Sequence, residues 1–155
     1  MVGTLILTHG GLANEMLAAA EVITGKLRGF ESLGLAWSDG VDEARARIGA
    51  SLERLDTGDG VLILTDMFGD TPTNAALSFA KRGRVAVVTG VNLPMVVRLG
   101  CLTVQEMRLE VLARWLQAKG RQSIQLSGAG AEAAAEDCDI AADGVAPGPN
   151  RQGSS

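Results

Sequence analysis

The sequence predicts an α/β fold, a doubly wound and mainly parallel four-stranded sheet in the order 2-1-3-4 with helices on both faces. Short runs of β-branched and leucine residues alternate with longer segments of helical spacing. The strand-type runs are apolar throughout, which is typical of parallel strands covered on both faces. The chain has 155 residues, a length that favours one domain with its own core.

The first half of the chain supplies two strands and two helices. Val2–Thr8 is a short apolar strand, and Leu12–Gly25 has the apolar spacing of a helix that ends at its glycine. Ser32–Trp37 is a weaker strand candidate. Asp42–Leu55 places Ala, Ile and Leu on one side of a helix and charges on the other, so it is predicted to pack on the sheet.

The next segment continues the alternation with two more strands. Val61–Thr65 is a strand of the buried type, and a helix begins near Pro72 with Thr71 as its N-cap. Arg84–Thr89 is the fourth strand. The sequence GVNLP then makes a turn into the apolar segment PMVVRL.

The last part of the chain changes character after one more helix. Val104–Lys119 is predicted as an amphipathic helix closed by Gly120, and Ser123–Leu126 as a short additional strand. From Ser127 onward the composition shifts to Gly, Ala, Ser, Pro and acidic residues, which favours a flexible tail or linker. The predicted organisation is therefore a domain over residues 1–126 and a tail over residues 127–155.

Composition excludes several classes of function. The net charge is −4 and the basic residues are scattered, which argues against a nucleic-acid partner. The N-terminus lacks the pattern of a signal peptide, and no run approaches the roughly 20 apolar residues of a membrane span, so a cytoplasmic protein is expected. Cys101 and Cys138 are far apart, which predicts reduced thiols and no metal site.

The candidate site lies where the winding direction of the sheet reverses. Ligands of open parallel sheets bind at the carboxyl ends of strands at such a reversal. Strand one ends at His9, the only histidine, and strand three ends at Asp66. In the order 2-1-3-4 these two strands are neighbours, so the two side chains are expected to meet.

The loop after Asp66 adds the features of an anion site. Gly69 lets the backbone approach an anion, and a helix N-terminus at Thr71 favours a phosphate. This combination suits phosphorylation of His9, since a neutral imidazole nitrogen is nucleophilic and a carboxylate on the other nitrogen fixes the tautomer. No nucleotide-binding P-loop motif is present, which favours a protein as phosphoryl donor and predicts no cofactor.

Four motifs in this order carry a family resemblance. They are THGG after the first strand, LDTGDGVLILTDMFGDTP, the following NAA, and GVNLPM at residues 90–95. From about Val2 to Ile124 the chain resembles the EIIA component of the mannose–fructose–sorbose family of the bacterial phosphotransferase system. The resemblance implies that His9 accepts a phosphoryl group from phospho-HPr and passes it to an EIIB component, in support of carbohydrate uptake and phosphorylation. It also implies that Asp66 orients His9.

The same resemblance implies a phosphate site and an assembly. The phosphate site comprises the loop residues Phe68, Gly69, Asp70 and Thr71. Family members form homodimers that exchange a C-terminal strand, here Ser123–Leu126, with the last helix at the interface. The resemblance further implies a membrane permease complex with which the protein associates peripherally. The family often carries two glycines before the Ser/Thr-Pro pair, whereas Asp70 replaces the second one here.

Four alternatives compete with this interpretation. The first is a regulatory EIIA whose phosphorylation state signals to a partner without sugar transport. A histidine phosphatase requires an arginine beside the histidine and a second histidine, but position 8 is Thr and no second histidine exists. A receiver domain phosphorylated on Asp66 requires an acidic pair after strand one, where His9 stands instead. The fourth is a flavodoxin-like interaction module with a structural His9.

Overall fold

A computed structural model of the chain describes residues 1–102 and 107–128. Its four strands are all parallel and lie in the order β2-β1-β3-β4, which confirms the predicted fold. The elements in chain order are β1 Gly3–His9, α1 Leu12–Thr24, β2 Phe30–Leu35, α2 Val41–Leu55, β3 Val61–Thr65, α3 Thr71–Leu77, β4 Val85–Thr89, α4 Leu93–Cys101 and α5 Leu109–Gln122.

The core has two layers, one on each face of the sheet. Side chains of a strand alternate between the faces, so Ile6 of β1 points to one layer and Leu5 and Leu7 to the other. Helices α1, α4 and α5 cover the face of Ile6, and helices α2 and α3 cover the opposite face. The central strands β1 and β3 are therefore buried on both faces, as their continuous apolar sequences predicted.

Strand β2 lies two residues earlier in the sequence than predicted. It pairs with β1 from Thr4↔Phe30 to His9↔Leu35 and ends there. A turn follows at once, in which the amide of Asp39 donates to the carbonyl of Ala36 at 3.0 Å. Trp37 therefore belongs to this turn and not to the strand.

The last helix also differs from its predicted bounds. It begins at Leu109 and ends at Gln122, while residues 104–106 of the predicted first turn lie outside the described residues. The prediction that Gly120 closes the helix is wrong, because Gly120 is a buried residue within it. A Cβ at this position would lie 2.6 Å from Met95 Sδ, so the glycine serves the close approach of α4 and α5.

The C-terminal region is described only in part. Met1–Ser123 form one compact unit, and a second unit begins at Ile124. Ser123 is the C-cap of α5, and residues 124–126 are in no strand of this single chain. Strand exchange through Ser123–Leu126 stays a prediction, as does the division at residue 126. Among the described residues, no helix is long and apolar enough to cross a bilayer.

Candidate functional site

His9 and Asp66 meet at the edge of the sheet where the winding reverses. His9 is the last residue of β1, and Asp66 directly follows the neighbouring strand β3. The Oδ2 atom of Asp66 accepts from the backbone amide of His9 at 3.0 Å and lies 2.8 Å from His9 Nδ1. One carboxylate oxygen therefore contacts both the end of the strand and the imidazole, and the two side chains meet as expected from the strand order.

The carboxyl group of Asp66 is held in its charged form. Burial alone would raise its pKa, but hydrogen bonds from the backbone and side chain of His9 and from the amide of Met67 together lower the pKa below its ordinary value. The Met67 amide donates to Oδ1 at 3.0 Å, so both oxygens of the carboxylate are engaged. Asp66 is consequently an anion at neutral pH.

The carboxylate of Asp70 is a second acidic group beside the same nitrogen of His9. Its Oδ1 accepts from the amide of Thr73 at 2.9 Å and caps helix α3. Its Oδ2 lies 3.4 Å from His9 Nδ1 and is buried without a hydrogen-bond partner. The side chain is 10% exposed, so this unpaired oxygen is directed at the imidazole and away from solvent.

This geometry corrects the predicted start of α3. The N-cap is Asp70 and not Thr71, and Pro72 follows in the first turn of a seven-residue helix. Asp and Thr both cap helices well, and the sequence alone did not distinguish them. The amide of Thr73 donates to the carboxylate of Asp70 and is therefore already paired. The N-cap of this helix is thus an acidic side chain.

The loop between β3 and α3 is fastened by two threonines that sequence reasoning missed. The hydroxyl of Thr73 donates to the carbonyl of Met67, and it lies 2.9 Å from the hydroxyl of Thr65. Both threonines are fully buried. The predicted phosphate-site residues Phe68, Gly69 and Thr71 lie in or beside this loop and are exposed. The residue types at Gly69 and Thr71 indicate an anion site, whereas Phe68 rests on the resemblance alone. The contact of all three with a phosphate stays a prediction.

A third missed residue covers the ring of His9. Trp37 stacks on the imidazole with 4.4 Å between the ring centroids and 24° between the planes. The sequence predicts Trp37 as the last residue of β2, an ordinary strand position. The signal that could have found it is the position of an aromatic residue near the end of the strand that pairs with β1.

The turn after His9 depends on two close backbone approaches. Gly10 has a φ of +53°, and its amide donates to the carbonyl of Leu35 at 2.8 Å. A Cβ on Gly34 of β2 would lie 1.9 Å from the carbonyl oxygen of Gly10, so only glycine fits there. The hydroxyl of Thr8 accepts from the amide of Ala13 at 2.7 Å and fastens the start of α1.

The three side chains of the site are also close enough for a metal ion. Ligand atoms of His9, Asp66 and Asp70 lie within 4.8 Å of one another. A metal on Nδ1 would have to displace the proton that the 2.8 Å hydrogen bond to Asp66 holds. The direct histidine–carboxylate contact explains the closeness of the group by itself.

Comparisons with known proteins agree with this fold and identify its family. A family model described as the phosphotransferase system (PTS) fructose IIA component matches residues 3–115. The mannose-specific EIIAB component of Escherichia coli K12 is 32% identical over 97 residues, 62% of this chain and 30% of that protein. The fructose-specific EIIA component of Bacillus subtilis is 28% identical over 127 residues, which cover 81% of this chain and 86% of that protein.

Solved structures give the same result. The mannose/sorbose specific IIA subunit from Enterococcus faecalis superposes with a TM-score of 0.72 at 26% identity, covering 82% of this chain and 95% of that one. A PTS IIA protein associated with a fucose utilization operon in Streptococcus pneumoniae has a TM-score of 0.70 at 28% identity, covering 81% of this chain and 96% of that one. The matched family model covers β1 to the middle of α5, including His9, Asp66 and Asp70. The chain therefore belongs to the EIIA family of the mannose–fructose–sorbose type in the sugar phosphotransferase system.

Proposed function

We propose that Nε2 of His9 accepts a phosphoryl group from phospho-HPr and passes it to an EIIB component, in support of carbohydrate uptake and phosphorylation. The observation that carries the proposal is the 2.8 Å hydrogen bond between His9 Nδ1 and Asp66 Oδ2. Because a carboxylate holds the proton on Nδ1, the lone pair of the neutral ring is on Nε2, at the opposite edge.

The chemistry is a transfer between two imidazoles. The Nε2 lone pair of His9 forms a bond to the phosphorus of the donor's phosphohistidine. The phosphorus–nitrogen bond of the donor breaks, and its electron pair returns to the donor's ring. The ring of His9 then carries a positive charge, which the neighbouring carboxylate of Asp66 stabilises. Transfer to the acceptor is the same step in reverse, with a nucleophile of EIIB in place of the donor's ring.

Asp70 has a different role here from a phosphate-binding residue. Its unpaired Oδ2 is 3.4 Å from Nδ1, where positive charge develops during the transfer. A carboxylate at this edge attracts the charged ring and repels a phosphoryl group. We therefore assign Asp70 to stabilising phosphorylated His9. The oxygens of the phosphoryl group are left to the exposed loop residues Phe68, Gly69 and Thr71.

The family supports a proposal for the setting of the reaction. We propose a cytoplasmic homodimer that associates peripherally with a membrane permease complex. The E. coli and B. subtilis relatives are described as mannose-specific and fructose-specific components, which supports a sugar transport complex as the partner. Exposed apolar side chains of Ile124 and Leu126 support a contact of the C-terminal region with a second chain.

The test is labelling with phosphoenolpyruvate, EI and HPr. The protein is expected to acquire an acid-labile, base-stable phosphoryl group, and His9→Ala must abolish it. Asp59→Asn, which removes a carboxylate just before β3 at the opposite edge of the sheet, is the matched control and is expected to label normally. Persistent label in His9→Ala would refute the assignment.

The identity of the acceptor separates transport from regulation. Labelled protein is mixed with purified EIIB components, and loss of label from His9 with gain on EIIB supports the transport function. If every EIIB fails and a regulator binds only the phosphorylated form, the regulatory alternative is correct.

A further inference from the structure

Trp37 is presented at the sheet edge by a short turn that polar contacts hold in place. The Oδ2 atom of Asp39 accepts from the amide of Ala36 at 2.8 Å. Arg47 of α2 reaches the same oxygen with Nη1 at 2.9 Å and donates from Nη2 to the carbonyl of Gly34 at 2.9 Å. The turn is therefore tied to both β2 and α2, and Trp37 lies between its two fixed ends.

Core packing does not explain the position of Trp37. Its side chain is 85% exposed, although a tryptophan side chain gains most from burial. The aromatic contact found for it is the stack on His9, whose own side chain is 16% exposed. The indole thus covers one face of the imidazole, while most of the surface of the indole itself is exposed to solvent.

We propose that Trp37 is a positioning residue for phosphoryl transfer at His9, an inference that rests on the proposed function. The carboxylates of Asp66 and Asp70 hold the Nδ1 edge of the ring, and the indole holds one face. Two in-plane contacts alone leave the ring free to tilt, whereas a stacked plane opposes tilting. Nε2 is then presented at a fixed angle to the incoming phosphorus.

The same stack acts on the charge that the reaction creates. When Nε2 bonds to phosphorus and the donor's phosphorus–nitrogen bond breaks, the ring of His9 becomes cationic. The face of an indole attracts a cation through its quadrupole. Trp37 is therefore expected to favour the charged, phosphorylated ring over the neutral one.

The first measurement tests the stack without any phosphoryl chemistry. His9 is the only histidine, so its ring C–H resonances are unambiguous in an NMR spectrum. The ring current of the indole is expected to shift them upfield. Trp37→Ala moves these resonances downfield, Trp37→Phe keeps part of the shift, and Val22→Ala, which removes another exposed apolar group at the far end of α1, leaves them unchanged. Unmoved resonances in Trp37→Ala would overturn the proposal.

The second measurement compares two phosphoryl donors, phospho-HPr and the small molecule phosphoramidate. If Trp37 positions the ring, Trp37→Ala slows both reactions by about three- to tenfold, while Trp37→Phe stays within about twofold of the parent protein. Slowing with phospho-HPr alone would make Trp37 a docking contact and overturn the positioning role. Unchanged rates with both donors would overturn it as well.

The two donors also separate this inference from the proposed function. If the parent protein reacts with phosphoramidate but not with phospho-HPr, the proposed donor is wrong. A slower phosphoramidate reaction of Trp37→Ala would then still support the positioning role. An unchanged phosphoramidate reaction would refute it.

Discussion

Replacement of Asp66 by Asn is the sharpest test of the histidine–carboxylate pair. Asn keeps one oxygen that can accept from the backbone amide and Nδ1 of His9, so the strand end is preserved. It removes the negative charge 2.8 Å from Nδ1. It also replaces the second oxygen, which accepts from the amide of Met67 at 3.0 Å, with a donor. We therefore expect a folded protein with slow transfer.

The size of the effect follows from the contact distance. Two unit charges 2.8 Å apart attract by about 1.5 kcal/mol even at the dielectric constant of water. Hydrogen bonds to charged groups contribute up to about 3 kcal/mol. A loss of about 1.5 to 3 kcal/mol from the transition state corresponds to a rate about 10- to 150-fold lower.

The assay is single-turnover phosphorylation by phospho-HPr with rapid acid-free quenching. A saturating donor concentration separates the transfer step from docking, and the charge effect belongs to the transfer step. Asp59→Asn serves again as control, with circular dichroism to establish that both variants fold. A transfer rate of Asp66→Asn within twofold of the parent would remove Asp66 from the mechanism.

Three other predictions concern the cap of α3, the charge of Asp66 and the C-terminal segment. Asp70→Ala is expected to lower the free energy of unfolding in urea by about 1 kcal/mol through loss of the cap on Thr73, whereas Asp70→Ser keeps most of it; equal stability of the three proteins would contradict the capping role. Because the folded pKa of Asp66 lies below its ordinary value of 3.8, its contribution to stability is present above that value and is lost as the pH falls through the lower one. Asp66→Asn is therefore expected to lose less stability than the parent between about pH 5 and pH 2, which acid titration of unfolding curves measures. A chain ending at Ser123 keeps the cap of α5 but lacks most of the segment predicted to be exchanged, so it is expected to sediment as a monomer. A persistent dimer would show that strand exchange is not the main contact that holds the dimer together.

The fold and the central pair were predictable because they depend on period and order along the chain. The apolar runs predicted a parallel sheet covered on both faces, and the strand order assumed for such a sheet put His9 beside Asp66, where the structure has it. The rest depends on side chains that meet only in the folded chain. Gly120 followed the sequence rule for a helix end, but it lies within α5, where only a glycine leaves room for Met95. Thr71 before Pro72 followed the sequence rule for a cap, and only the folded chain shows that the side chain of Asp70 accepts from the amide of Thr73 instead.

The two glycines after His9 illustrate why conformation and access must be separated. Gly10 has a conformational reason, since its φ of +53° is unfavourable for other residues. Gly11 has none, because its φ is −85° and a Cβ there would meet no atom within 4 Å. The fold therefore tolerates a side chain at position 11. Side chains of this chain contact the Nδ1 edge and one face of His9, and the proposed reaction uses Nε2 at the opposite edge of the ring. We therefore expect the absence of a side chain at Gly11 to serve the approach of a donor or acceptor protein and not the fold.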